Sequence, residues 1–80
     1  MQTTEELGYQ EVYADVRDDG TIIRKYSNGF KTYKIVYRDG LHKFKFKLFE
    51  DGEIILSSET SLWTTSEEDL YEQLIRRMRG

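Results

Sequence analysis

The sequence predicts an α+β fold: an antiparallel five-stranded β-meander with one C-terminal α-helix packed on one face, in two layers. Three observations predict it. Asp19-Gly20, Asn28-Gly29, Asp39-Gly40 and Asp51-Gly52 recur at roughly ten-residue spacing, and such pairs supply the positive φ angles of tight hairpin turns. The segments between them alternate apolar and polar residues with a period of two, as half-buried strands do. After Trp63 the period changes, and Leu70, Leu74 and Met78, with Tyr71 and Ile75 beside them, form an apolar stripe at helical spacing.

Eighty residues suffice for one core, so the chain reads as a flexible lead-in over 1–8 and a single domain over 9–80. In the first strand Val12, Ala14 and Val16 share the face expected to be buried, and Tyr9 and Tyr13 fall on the polar face. Thr21 to Tyr26 is a second strand, rich in β-branched residues. In the central hairpin Tyr33, Ile35 and Tyr37 share a face, as do Phe44, Phe46 and Leu48. These faces must coincide to give the sheet a core side, which sends Lys34, Arg38, Lys43, Lys45 and Lys47 to the other side. In the fifth strand Ile54 and Leu56 face opposite to Ile55. Trp63 stands just before the helix, where it is expected to staple the helix to the core; the alternative is an exposed interface anchor. The cap is Thr65 with Glu68 or Ser66 with Asp69, an acid three residues on in either case. Glu67, Glu68 and Asp69 in the first turn and Arg76, Arg77 and Arg79 in the last complement the helix dipole. The segments 15–23 and 47–55 echo one another around Asp-Asp-Gly and Glu-Asp-Gly, as two hairpins meeting one turn requirement would.

The net charge of −3 conceals a pattern. Residues 1–23 carry six acids against Arg17 alone, residues 24–47 eight bases against Asp39 alone, and residues 48–80 eight acids against three arginines. A basic centre lies between acidic ends. The basic residues of 30–49 therefore mark the expected working surface: Lys34, Arg38, Lys43, Lys45 and Lys47, with Tyr26 and Phe49 as flanking aromatics. Such a face docks an acidic protein surface. It could alternatively hold a nucleic acid, with phosphates on the lysines and bases on the aromatic rings. The bland reading is a solvated face whose lysines keep strand edges from pairing. The leading expectation is a small binding protein acting through protein–protein contact, of the kind found among accessory proteins and phage-encoded inhibitors of host machinery, with a homodimer as a further possibility of the oppositely charged patches.

Other classes find no residues to carry them. The absence of cysteine excludes disulfides and thiolate zinc sites and suits a cytoplasmic location. The polar, acidic N-terminus does not read as a signal peptide, and no apolar run approaches the roughly 20 residues of a membrane span. His42 is the single histidine, so no histidine cluster offers a metal site. No glycine-rich phosphate loop or serine elbow is present. The acid pairs Asp18-Asp19 and Glu50-Asp51 sit at turns, where they serve turn geometry. The expectation is no catalytic residue, no metal, no cofactor and no small-molecule substrate.

Residues 33–78 resemble the YegP-like repeat, a family of unknown function. The resemblance lies in Phe46-Lys47-Leu48, Gly52-Glu53-Ile54-Ile55, Ser57-Ser58-Glu59, the aromatic Trp63 and the Thr65-Ser66 helix start. It implies a β-β-β-α unit that pairs into one sheet, as a tandem repeat or a dimer. This chain departs from the pattern: the turn before Gly52 is one residue shorter, two extra residues separate Glu59 from Trp63, and the two N-terminal strands have no counterpart in a single unit.

Overall fold

A computed structural model describes residues 2–80. It contains β1 (Gln10–Val16), β2 (Ile22–Ser27), β3 (Thr32–Asp39), β4 (Phe44–Glu50), β5 (Glu53–Ser57) and α1 (Glu67–Arg79). Each turn returns the chain beside the strand it has left, so the sheet order is β1-β2-β3-β4-β5, antiparallel throughout. The architecture is the predicted α+β meander with one C-terminal helix.

The turns show why the order holds. Glu50 pairs with Glu53, leaving Asp51 and Gly52 as a two-residue loop with φ of 50° and 86°, the two positive angles of a type I′ hairpin. Asp51 also ties this turn to β3: Thr32 N–H donates to its Oδ1 at 2.9 Å, and its own N–H donates to Thr32 O at 2.7 Å. The β1–β2 turn is a three-residue loop, closed by Arg17 N–H to Thr21 O at 2.8 Å. The two echoing segments thus turn differently, and their likeness is one of turn residues only.

One face of the sheet carries the core. Tyr26, Tyr33, Ile35, Tyr37, Phe44, Phe46 and Leu48 are buried against Leu70, Leu74, Ile75 and Met78 of α1. The tyrosines reach the helix with their hydroxyls. Tyr33 donates to Arg77 O at 3.3 Å, Tyr37 to Glu67 Oε1 at 2.8 Å, and the Tyr26 and Tyr71 hydroxyls meet at 3.3 Å. The helix is capped by Ser66, whose Oγ accepts from Asp69 N–H, and Asp69 in turn accepts from Thr65. Those Thr65 donors, the backbone N–H first, hold the Asp69 carboxyl below its ordinary range.

Several expectations are corrected. Val12, Ala14 and Val16 are exposed, with Val16 at 70 %. The helix does not reach β1, and a bulge between Glu11 and Tyr13 twists that strand. Tyr9 is not on the polar face. It is buried, with its ring edge-on to Tyr33 at 5.7 Å. It is carried there by a turn over Thr3–Gly8 in which Tyr9 N–H donates to Thr4 O at 3.0 Å, while Leu7 packs against the core. In β5 a bulge falls at Ile55, so Ile54 faces water and both Ile55 and Leu56 touch the core. Trp63 staples nothing: it is 88 % exposed, and Thr64 takes the buried place.

Two measurements test this core. Leu74 is fully buried, so Leu74→Ala should cost about 2–5 kcal/mol in denaturant unfolding; a loss under about 0.5 kcal/mol, the size of a surface change, would mean an undocked helix. Burial pushes the Tyr71 hydroxyl up to about 12 and shifts Tyr26, Tyr33 and Tyr37 upward too. Folding then favours the neutral phenols, so their stabilisation is complete below the ordinary value of about 10 and is lost as pH rises through the folded-state values. The melting temperature should hold steady up to about pH 9 and fall steeply beyond 10 as phenolate absorbance appears; a flat profile through pH 12 would contradict the burial.

Candidate functional site

The register of the five strands assigns each side chain of the outer face. Tyr13 pairs with Lys25, Lys25 with Lys34, Lys34 with Phe49 and Phe49 with Ile54. The next row runs Asp15, Ile23, Val36, Lys47 and Ser57. In a third, Arg38 stands opposite Lys45. No element covers this face, since the single helix lies on the other side. Five cations therefore surround an apolar seam of Ile23 and Val36, both half-buried.

Two of these pairs place like charges directly opposite one another, Lys25 against Lys34 and Arg38 against Lys45. Such pairs are destabilising in a sheet. The chain relieves the first by splaying it: Lys25 Nζ leans over Tyr13, 5.5 Å from the ring centroid, and Lys34 Nζ leans over Phe49 at 4.1 Å. Arg38 turns to Asp19 at 3.7 Å. The Thr21 N–H bond to Asp19 at 2.9 Å, more than Arg38, holds that carboxyl below its ordinary range. Among the described residues no ion pair engages Lys25, Lys34, Lys43, Lys45 or Lys47. Arg38, Lys43, Lys45 and Lys47 line a shallow depression of about 420 Å³ in which Glu59 is the one acid.

The predicted surface is thus assembled in part. Lys34, Arg38, Lys43, Lys45 and Lys47 stand together, and Phe49 lies beneath the Lys34 ammonium. Tyr26 is a correction: it is 4 % exposed and points into the core, because its strand turns Ile22, Arg24 and Tyr26 inward opposite Tyr37, Ile35 and Tyr33. The same alternation takes Arg24 off the face. Its guanidinium reaches Glu11 at 4.0 Å, and its buried Nε has no protein partner. Lys31 pairs with Glu50 at 3.0 Å at the far end of the sheet. Sequence reasoning missed Lys25 and the Ile23–Val36 seam. The signal was present, since fixing Tyr26 inward forces Lys25 and Ile23 outward.

Most of these lysines do not guard a strand edge. The edges are β1 and β5, each protected by a bulge, whereas Lys25, Lys34, Lys45 and Lys47 lie on the three inner strands. Among the described residues no group of three or more His, Cys, Asp or Glu side chains could hold a metal ion, and no helix is long and apolar enough to cross a membrane. Comparison with protein-family models, curated proteins and solved structures found no match to this chain.

The like-charge pairs give a stability test. Lys45→Glu opposite Arg38 replaces repulsion by attraction and should raise stability by about 0.2–1 kcal/mol, or roughly 1–6 °C in melting temperature for a domain of this size. A lowered melting temperature would show that Lys45 is held by interactions other than those described.

Proposed function

We propose that this is a small, non-enzymatic, cytoplasmic accessory protein that docks an acidic protein surface on the outer face of its sheet. The observation that carries the reading is the uncovered face itself. It keeps like charges directly opposed on inner strands, leaves five lysines without ion pairs among the described residues, and gathers cations around the apolar Ile23–Val36 seam. A chain selected for stability alone gains nothing from that arrangement, whereas a partner with acids around an apolar centre neutralises it and buries the seam. Mixed rims of charge around an apolar core are the usual composition of protein interfaces. The lack of cysteine suits the reducing compartment in which such a partner would be met.

Nucleic acid is the weaker reading. Single-strand binding by a sheet uses open aromatic rings as stacking platforms. Here the Phe49 and Tyr13 rings sit under lysine ammonium groups, and Tyr26 is in the core.

The test is a titration of isotope-labelled protein with a glutamate-rich peptide carrying interspersed leucines, followed by amide chemical shifts, beside one with a mixed-sequence single-stranded oligonucleotide. The peptide should shift Ile23, Lys25, Lys34, Val36, Lys45 and Lys47, and the effect should weaken steeply with salt. Lys43→Glu, Lys45→Glu and Lys47→Glu together should abolish those shifts while the far-UV spectrum stays unchanged. Tighter binding of the oligonucleotide would transfer the face to nucleic acid, and normal peptide binding by the triple variant would remove it from function.

A further inference from the structure

Trp63 is the only tryptophan in the chain, and it is 88 % exposed. Leu62 beside it is 78 % exposed, and Leu41 in the β3–β4 turn 97 %. Leu41 and Leu62 line one depression of about 370 Å³ with His42 and Lys43, so two loops bring their apolar side chains to one end of the sandwich. Single exposed leucines need no explanation. Leu41 and Leu62 at one tip, with the exposed Trp63 next to Leu62 in the chain, have the composition of an interface anchor.

The loops are built to hold these side chains outward. Leu62 and Trp63 lie between Ser61 and Thr64, both buried, with their hydroxyls 2.9 Å apart. Ser61 N–H donates to Ser57 O at 2.9 Å, and Ser57 N–H to Thr60 Oγ1 at 3.1 Å. With 61 and 64 anchored, the pair between them projects. In the other loop Gly40 N–H donates to Lys43 O at 3.1 Å, and a Cβ at position 40 would stand 2.7 Å from that oxygen, so the turn that presents Leu41 is one that only glycine fits. Little ordering remains for association to impose.

Charge identifies the occupant. On the sheet side of the tip, Arg38, Lys43 and Lys45 line a depression with Leu41. On the helix side stand Glu67 and Glu68 in the exposed first turn of α1, joined to the tip through Thr65, which lines the Leu41–Leu62 depression. A tip with Leu41 and Leu62 in the middle beside Asp39, basic on one side and acidic on the other, is complementary to itself. A half-turn about an axis lying in the sheet plane across the tip sets the acidic layer of one copy against the basic layer of another. We propose that Leu41, Leu62 and Trp63 form an isologous homodimer interface, the Lys43 side of each copy facing the Glu68 side of its partner. An anionic membrane or an acidic protein would meet Glu67 and Glu68 as like charges. The tip shares Arg38, Lys43 and Lys45 with the outer face, but its apolar anchors Leu41, Leu62 and Trp63 are not among the residues assigned to that face, so substitutions at the anchors separate the two readings.

So small a patch gives a contact below about 1,200 Å² and an affinity in the micromolar range. Sedimentation velocity over rising protein concentration should move the mass from 9.6 kDa toward twice that value, with a parallel blue shift of Trp63 emission. Trp63→Ala and Leu41→Ser, from separate loops and both at exposed positions, should each raise the dissociation constant at least tenfold while leaving glutamate-peptide binding at the outer face intact. Lys43→Glu and Glu68→Lys should each weaken self-association, and an equimolar mixture of the two variants should restore it. A protein monomeric at every concentration overturns the proposal. So does a dimer indifferent to Trp63→Ala, or weakened single variants whose mixture does not associate. A Trp63 blue shift seen only on adding anionic vesicles assigns the tip to a membrane surface and overturns it as well.

Discussion

Everything in this molecule depends on α1 lying across one face of the sheet. Leu70 and Leu74 share one core cluster with Ile35 and Leu48, all four without measurable exposure, and that packing decides which side of every strand is interior. Because strand side chains alternate, fixing Ile35 and Leu48 inward also fixes Lys34, Val36, Lys47 and Phe49 outward. The concentration of cations on one surface is therefore a by-product of register as much as of composition. A slip of one residue in any inner strand would bury lysines and expose core aromatics.

The interior is unusual in its reliance on tyrosine. Tyr9, Tyr26, Tyr33, Tyr37 and Tyr71 all belong to it or pack on it. Each contributes a ring of area comparable to phenylalanine, but its hydroxyl must find a partner when buried. The helix supplies several: a backbone carbonyl at Arg77, the Glu67 carboxylate and the Tyr71 hydroxyl. These bonds run between layers, so they fix the rotation and sliding position of the helix, which leucine contacts alone leave loose. The rigid placement of the helix entry in turn sets where the Ser57–Thr65 loop can travel.

Much of this was legible in the sequence, and the reasons for the failures are physical. Turn pairs and a switch from period two to helical period pointed to the meander and its helix, because both signals are local, although of the four pairs only Asp51-Gly52 has both residues at positive φ and Asp39-Gly40 has neither. The Ser66 cap was one of two alternatives raised by spacing, and Thr65 was found to brace it. What alternation could not reveal was a bulge. At Glu11–Tyr13 and at Ile55 the strand gains a residue, and parity counted through that point assigns the wrong face. Burial of β1 was misjudged because its apolar pattern is real, but a thirteen-residue helix cannot cover five strands. Trp63 is exposed and Thr64 buried, since the preference of a large ring for the interior says nothing about whether its loop can turn it inward. Of the binding face, the five cations of the central hairpin were legible from alternation, and the loss of Tyr26 and gain of Lys25 follow once the second strand is read in register with the third.

The meander order has a kinetic consequence. Every strand pairs with the one before it through a short turn, so strand pairing requires only small loop closures, the topology associated with rapid folding. The helix is the exception. It is made after the entire sheet, and until it arrives the inner face lacks the helix it packs against. On β2 and β3 that waiting surface is largely Tyr26, Tyr33 and Tyr37, whose hydroxyls remain hydrated in the interim, rather than an unbroken run of leucine and isoleucine. The nascent hairpins can thus form early while presenting a less adhesive surface to other unfolded chains.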